Sequence, residues 1–207
     1  MKLIEMTVEK YLDVLASDAP APGGGSVSAL TAAQGAALVM MVCDLTIPKE
    51  RYSQYKEICR EVRKEISAIY DELVIAIDKD TEAFNMVSAA YKLPKDTEEE
   101  KKIRTEAIQE ATVIATRVPY DTMELCLRGI GITAKAVGKS NPNASSDLGV
   151  AALDLLAGIK GAYLNVMINL PSIKDENIKA QFVGAEEMVK KAEQAAGVIY
   201  GQVLAGL

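Results

Sequence analysis

Apolar residues recur every three or four positions along almost the whole chain, and the alternation of half-buried strands is nearly absent. This pattern predicts an all-α fold of about six helices. The first is expected from Thr7, an N-cap with Glu9 in the first turn, to Ser17. The second follows a glycine loop and runs from Ser26 to Thr46. It carries no charge before Asp44, which predicts the central and most buried helix, with Gly35 and many alanines letting neighbouring backbones come close. A capping box at Thr97 and Glu100 opens the fourth helix, which reaches Lys139 with a kink expected at Pro119. Residues 139–145 read as a turn, and Ser146 with Asp147 suits an N-cap and a first-turn acid for a fifth helix ending at Leu170. Pro171 stops it, and a sixth helix from Asp175 closes the chain.

The third helix, Lys49 to Tyr91, carries the most informative pattern. Its apolar stripe reads Ile58, Val62, Ile66, Ile69, Leu73, Ile77, and then Phe84, Val87, Tyr91. The spacing calls for one more apolar residue at position 80, and the residue there is Asp80. A helix of this length spans about 60 Å, more than a compact single-chain bundle needs. Part of the stripe is therefore expected to pair with a second subunit, most simply in a two-fold dimer.

No linker, repeat or low-complexity tract divides the 207 residues, so residues 1–207 are expected to form one helical domain with its own core. With 49% hydrophobic and 25% charged residues the chain has the composition of a globular protein, and its net charge of −6 argues against a nucleic-acid partner. Histidine is absent, which removes the commonest general base and the commonest zinc ligand, and no metal site is expected. Acid–base chemistry falls to Asp, Glu, Lys, Tyr or Cys. Cys43, Cys59 and Cys126 are an odd number at irregular spacing, which suits reduced, buried thiols in a cytoplasmic protein. The N-terminal residues lack the apolar run of an export signal, and the uncharged run from Ala19 to Cys43 reads as a loop feeding a buried helix rather than a membrane span.

Four constellations can carry chemistry. Pro20 to Ser26 includes Gly23, Gly24 and Gly25 directly ahead of a helix, where free N–H groups can meet an anionic or carbonyl oxygen, or where the glycines simply allow close packing. It is neither a P-loop nor a dinucleotide fingerprint. Asp80 at a buried position would have a raised pKa and serve as acid or base, or it pairs with a neighbour or caps another helix. Asp78 and Glu82, on a polar face, are expected to be solvated. Asn165 and Asn169 share a helical face and can present donors and acceptors to a flat heterocycle, or act as glue between helices. The segment from Asn141 to Asp147, including Asn143 and Ser146, has the residue types of ordinary turn and cap chemistry.

Taken in order, PAPGGGS at 20–26, DKDTEAF at 78–84, LP at 93–94, NPNASSDLGVAA at 141–152 and GAYLNVMINL at 161–170 resemble the cyclodeaminase/cyclohydrolase family. That family includes the cyclodeaminase domain of formiminotransferase-cyclodeaminase and the stand-alone methenyltetrahydrofolate cyclohydrolases. The resemblance implies an all-helical homodimer that binds tetrahydrofolate derivatives near the subunit interface, with no further cofactor. It implies a catalytic role for Asp80. It also makes Gly23, Gly24, Gly25, Ser26, Asn143, Ser146, Asp147, Asn165 and Asn169 candidate walls of the folate site. The expected reaction is hydrolysis of 5,10-methenyltetrahydrofolate to 10-formyltetrahydrofolate. The alternatives are cyclodeamination of 5-formiminotetrahydrofolate with release of ammonia, and a non-catalytic folate-binding or scaffold dimer.

Overall fold

The computed structural model describes residues 2–207, and among these every regular element is a helix. The α-helices are α1 (Val8–Leu15), α2 (Gly24–Asp44), α3 (Lys56–Tyr91), α4 (Glu98–Ala136), α5 (Ser145–Asn169), the single turn α6 (Glu176–Lys179) and α7 (Ala185–Ala205). Local chemistry sets several of their ends. Thr7 Oγ1 accepts the Lys10 N–H at 3.2 Å to cap α1. At α4 the capping box forms as expected, with Glu100 N–H on Thr97 Oγ1 at 3.2 Å and Thr97 N–H on Glu100 Oε2 at 2.8 Å.

Several expected boundaries differ. The second helix starts at Gly24 rather than Ser26, and the third starts at Lys56 rather than Lys49, after a 3₁₀ stretch at Glu50–Tyr55 in which Tyr52 leaves helical geometry. The fifth helix starts at Ser145, with Ala144 rather than Ser146 at its N-cap. Asn141 Oδ1 accepts the Asn143 N–H and Pro142 opens a 3₁₀ turn, so winding begins before Ser146 is reached. The sixth expected helix is divided. Asp175 caps only α6, and a 3₁₀ turn at Ala180–Phe182 precedes α7. At that break Phe182 turns into the core, 1% exposed, and meets the Tyr120 ring edge-on at 5.2 Å.

α2 packs on α3 and α5, and α4 packs on the same two helices, so the four close into a ring with α7 laid against α4 and α5. Neighbours in the ring are antiparallel. On α2 and α3, Ser26 meets Asp80 while Asp44 meets Arg63. On α3 and α4, Glu65 meets Lys135 at one end, and on α4 and α5, Asn169 meets Ala115. Within the ring lie Val39, Ile66, Ile69, Leu73, Met123, Ile130, Leu155 and Ile159, all essentially without exposure.

A ring of four has no central helix, but α2 is the most buried of the helices, as expected, with 11 of its 21 residues buried. Its inner face is buried, but Met41 and Leu45 are about 40% exposed. The small residues serve contact with α5: a Cβ added at Gly158 would lie 2.8 Å from the Ala32 Cβ. α2 and the segment Pro142–Ser172 are long and apolar enough to cross a bilayer by length and composition, and here they pack against each other.

Pro119 sits inside α4, which runs through it uninterrupted. A proline at 119 leaves the Ala115 carbonyl without its usual donor. The Asn169 side chain supplies one, its Nδ2 donating to Ala115 O at 2.9 Å. The apolar stripe of α3 is buried from Val62 to Ile77, as expected. Beyond Asp80 it is not: Phe84 is 40% and Tyr91 55% exposed. α2 begins beside Asp80, so the last eleven residues of α3 extend about 16 Å past the end of their partner.

Candidate functional site

The N-terminus of α2 presents backbone N–H groups that its own residues cannot satisfy, because its N-cap is Gly23, which has no side chain. Asp80 of α3 supplies the missing cap. Its Oδ2 accepts the Ser26 N–H at 2.8 Å, the same donor a serine or aspartate at the N-cap would take. Ser26 is fully buried, and its hydroxyl lies 2.8 Å from the Ile77 carbonyl, 3.2 Å from Asp80 Oδ2 and 3.2 Å from Thr81 Oγ1. Oδ1 of Asp80 makes no hydrogen bond among the described residues and faces Gly25. A Cβ at residue 25 would lie 2.0 Å from that oxygen.

Burial of Asp80 pushes its carboxyl above the usual range, and the two hydrogen bonds from Ser26 oppose that rise without cancelling it. The site therefore joins a proton acceptor of raised affinity to a helix N-terminus that favours negative charge. Asn165 of α5 completes this corner. Its amide lies over Gly24, with Nδ2 3.3 Å from where a Cβ would stand, and the same Nδ2 donates to the Gly161 carbonyl at 2.8 Å.

Thus Gly23, Gly24, Gly25, Ser26, Asp80 and Asn165 gather at one end of the ring. Asn169, one turn beyond Asn165 on α5, turns its Nδ2 to the Ala115 carbonyl of α4. The other expected site residues do not join this corner within one chain. Asn143, Ser146 and Asp147 lie at the opposite end of α5, about 28 Å from Asn165 along the helix axis. There Asn143 and Ser146 are exposed and Asp147 is half-buried in the first turn, beside a cleft of about 570 Å³ lined by residues including Arg51, Tyr52, Ser140 and Ser145.

Asp78 also departs from expectation. It is half-buried rather than solvated, with Oδ1 accepting the Leu3 N–H at 2.6 Å, and so it ties the N-terminal segment to α3. Glu82 is exposed, as its polar face predicts. All three cysteines are buried and free; burial pushes Cys43 up to about 12, which leaves its thiol protonated. Among the described residues no three His, Cys, Asp or Glu side chains gather as a metal-binding group.

Sequence reasoning passed over Tyr11, the one buried residue of α1. Its signal was a polar-tipped ring in a short amphipathic helix, which is indistinguishable from ordinary core.

Three comparisons bear on this arrangement. The formiminotransferase-cyclodeaminase family model matches residues 7–188. The chain is 42% identical over 187 residues to a methenyltetrahydrofolate cyclohydrolase of Methylorubrum extorquens, covering 90% of this chain and 87% of that protein. It is 34% identical over 199 residues to the formimidoyltransferase-cyclodeaminase of Gallus gallus, of which it spans 37%. Among solved structures it is similar to the formiminotetrahydrofolate cyclodeaminase of Thermotoga maritima, with a TM-score of 0.79 and 27% identity over 98% of this chain and 96% of that one.

Proposed function

Because the chain belongs to the formiminotransferase-cyclodeaminase family, we propose that it hydrolyses 5,10-methenyltetrahydrofolate to 10-formyltetrahydrofolate, with Asp80 as the group that moves the proton. The observation that carries this reading is the Asp80 carboxylate, half-buried, held through one oxygen by α2 and free at the other beside Gly25. The substrate bears a cationic amidinium carbon, which a fixed carboxylate stabilises by charge. As water adds to that carbon, Asp80 takes one of its protons. The carbon–nitrogen bond to the ring then breaks, the departing nitrogen receives the proton from Asp80, and the remaining hydroxyl proton leaves to solvent as the formyl group forms.

Cyclodeamination of a 5-formimino group uses the same proton shuttle and stands as the second reading, supported by the likeness to the Thermotoga maritima structure. The cyclohydrolase is favoured because its match runs along nearly the full length of both proteins. Absorbance of the methenyl bridge separates the two. Loss of the methenyl signal above the uncatalysed rate is the expected result, whereas growth of that signal with ammonia release from 5-formiminotetrahydrofolate would replace the hydrolase with the cyclodeaminase.

The proposed assembly is a homodimer. The outer row of α5, with Val150, Leu153, Leu164 and Ile168 at 46%, 43%, 68% and 76% exposure, is the apolar surface that a second copy would cover. A second copy also offers a way to bring the Ser146 end of one α5 toward the Asp80 end of another. The three free thiols suit a reducing cytoplasmic setting.

A further inference from the structure

Tyr11 is 7% exposed, and its hydroxyl is buried with no hydrogen-bond partner among the described residues. Buried hydroxyls are nearly always paired, so an orphan marks a place where a water or ligand atom belongs. The ring stands in an apolar groove of about 540 Å³ between the N-terminal segment, α2 and α3, whose wall includes Leu3, Leu30, Val74 and Ile77. Ile77 is the residue whose carbonyl holds Ser26, one turn before Asp80, so the groove adjoins the Asp80 corner. Burial first, and the Asp80 charge second, keep the phenol above its usual range, which leaves it a donor at neutral pH and close enough to sense that carboxylate. The ionisable groups around this place are Tyr11 on α1 with Tyr70, Asp78 and Asp80 on α3; α2 and α5 bring the uncharged Ser26, Ser28 and Asn165 to the corner.

We propose that Tyr11 is a positioning residue for Asp80: its hydroxyl donates, across one water or the reacting group of the substrate, toward the carboxylate and orients the water that Asp80 deprotonates. This rests on Asp80 being the proton-transfer group of the reaction proposed above. A ring kept only for packing has no use for the hydroxyl, and phenylalanine would fill the same space without burying an unpaired oxygen.

The test is Tyr11→Phe in the full chain, followed by the methenyl absorbance across pH beside Asp80→Asn. The expected result is a kcat lower by roughly tenfold, the rate equivalent of one hydrogen bond, with KM within about twofold. The acid limb of kcat should move to higher pH, since the carboxylate loses a donor that favours its charged form. The melting temperature should hold or rise. A wild-type kcat and an unmoved acid limb in Tyr11→Phe, with the rate lost in Asp80→Asn, would overturn the role of Tyr11 alone. Retention of the rate in Asp80→Asn would instead overturn the reading beneath it.

Discussion

Gly25 and Asp80 share a contact that no other residue at position 25 permits, since a Cβ there would lie 2.0 Å from Asp80 Oδ1. The glycine is required by this approach, and the carboxylate it admits is the cap that α2 otherwise lacks. Gly25→Ala should turn the Asp80 side chain away and cost about 1–2 kcal/mol of stability, the value of a lost N-cap. Its rate should fall toward that of Asp80→Asn. Circular-dichroism melting with the methenyl assay would check both, and a full rate with alanine at this position would separate the contact from catalysis.

Asp80→Asn should lower kcat by about 10²- to 10⁴-fold, the usual worth of general acid–base help. The amide oxygen can still accept the Ser26 N–H, so the fold should persist. The sign of the pH effect follows from the direction of the shift. A carboxyl raised by burial holds its proton in the folded state over a window just above the ordinary aspartate range, and stability falls as pH rises through that window. Asp80→Asn removes that loss, so at neutral pH its melting temperature should equal or exceed the wild type. A clear fall in melting temperature would mean that the charge itself holds α2.

The wild-type rate should follow ionised Asp80. Its acid limb is expected at a pH above the usual carboxylate range, because burial outweighs the Ser26 hydrogen bonds. Ser26→Ala removes one of those opposing bonds and should move the limb further up. A limb that stays in place on this substitution would point to a different titrating group.

Asn169→Ala should cost about 1–3 kcal/mol through the orphaned Ala115 carbonyl while leaving kcat within about twofold. Denaturant unfolding beside the rate assay reads the two effects separately. A large loss of rate with little loss of stability would return Asn169 to the substrate.

Leu164→Glu with Ile168→Glu should turn a dimer into a monomer, because both residues are exposed on the outer row of α5 and neither fills the core. Sedimentation of both forms gives the answer directly. A monomeric wild type, or a dimer that survives both charges, would take α5 out of the interface.

Much of this protein was legible in its sequence because helical periodicity and capping are local. The stripe on α3 marked Asp80 as an acid at an apolar position, the spacing of Thr97 and Glu100 fixed where α4 begins, and the glycines at 23–25 marked a place where backbone must come close. What Asp80 and the two asparagines touch was not legible. Ser26 and Asp80 stand 54 positions apart, and so do Ala115 and Asn169; each pair meets only because the helices between them have the lengths and directions that bring those ends together. The same closure set Asp78 under Leu3, buried the Tyr11 hydroxyl, and carried Ser146 and Asp147 to the far end of α5. The sequence by itself determined the helices and the acid on α3, since those depend on residues within a turn or two. Only the tertiary structure decided which helix end that acid caps and which amide repairs Pro119, because an unpaired N–H or carbonyl is satisfied by whatever the packing brings within 3 Å of it.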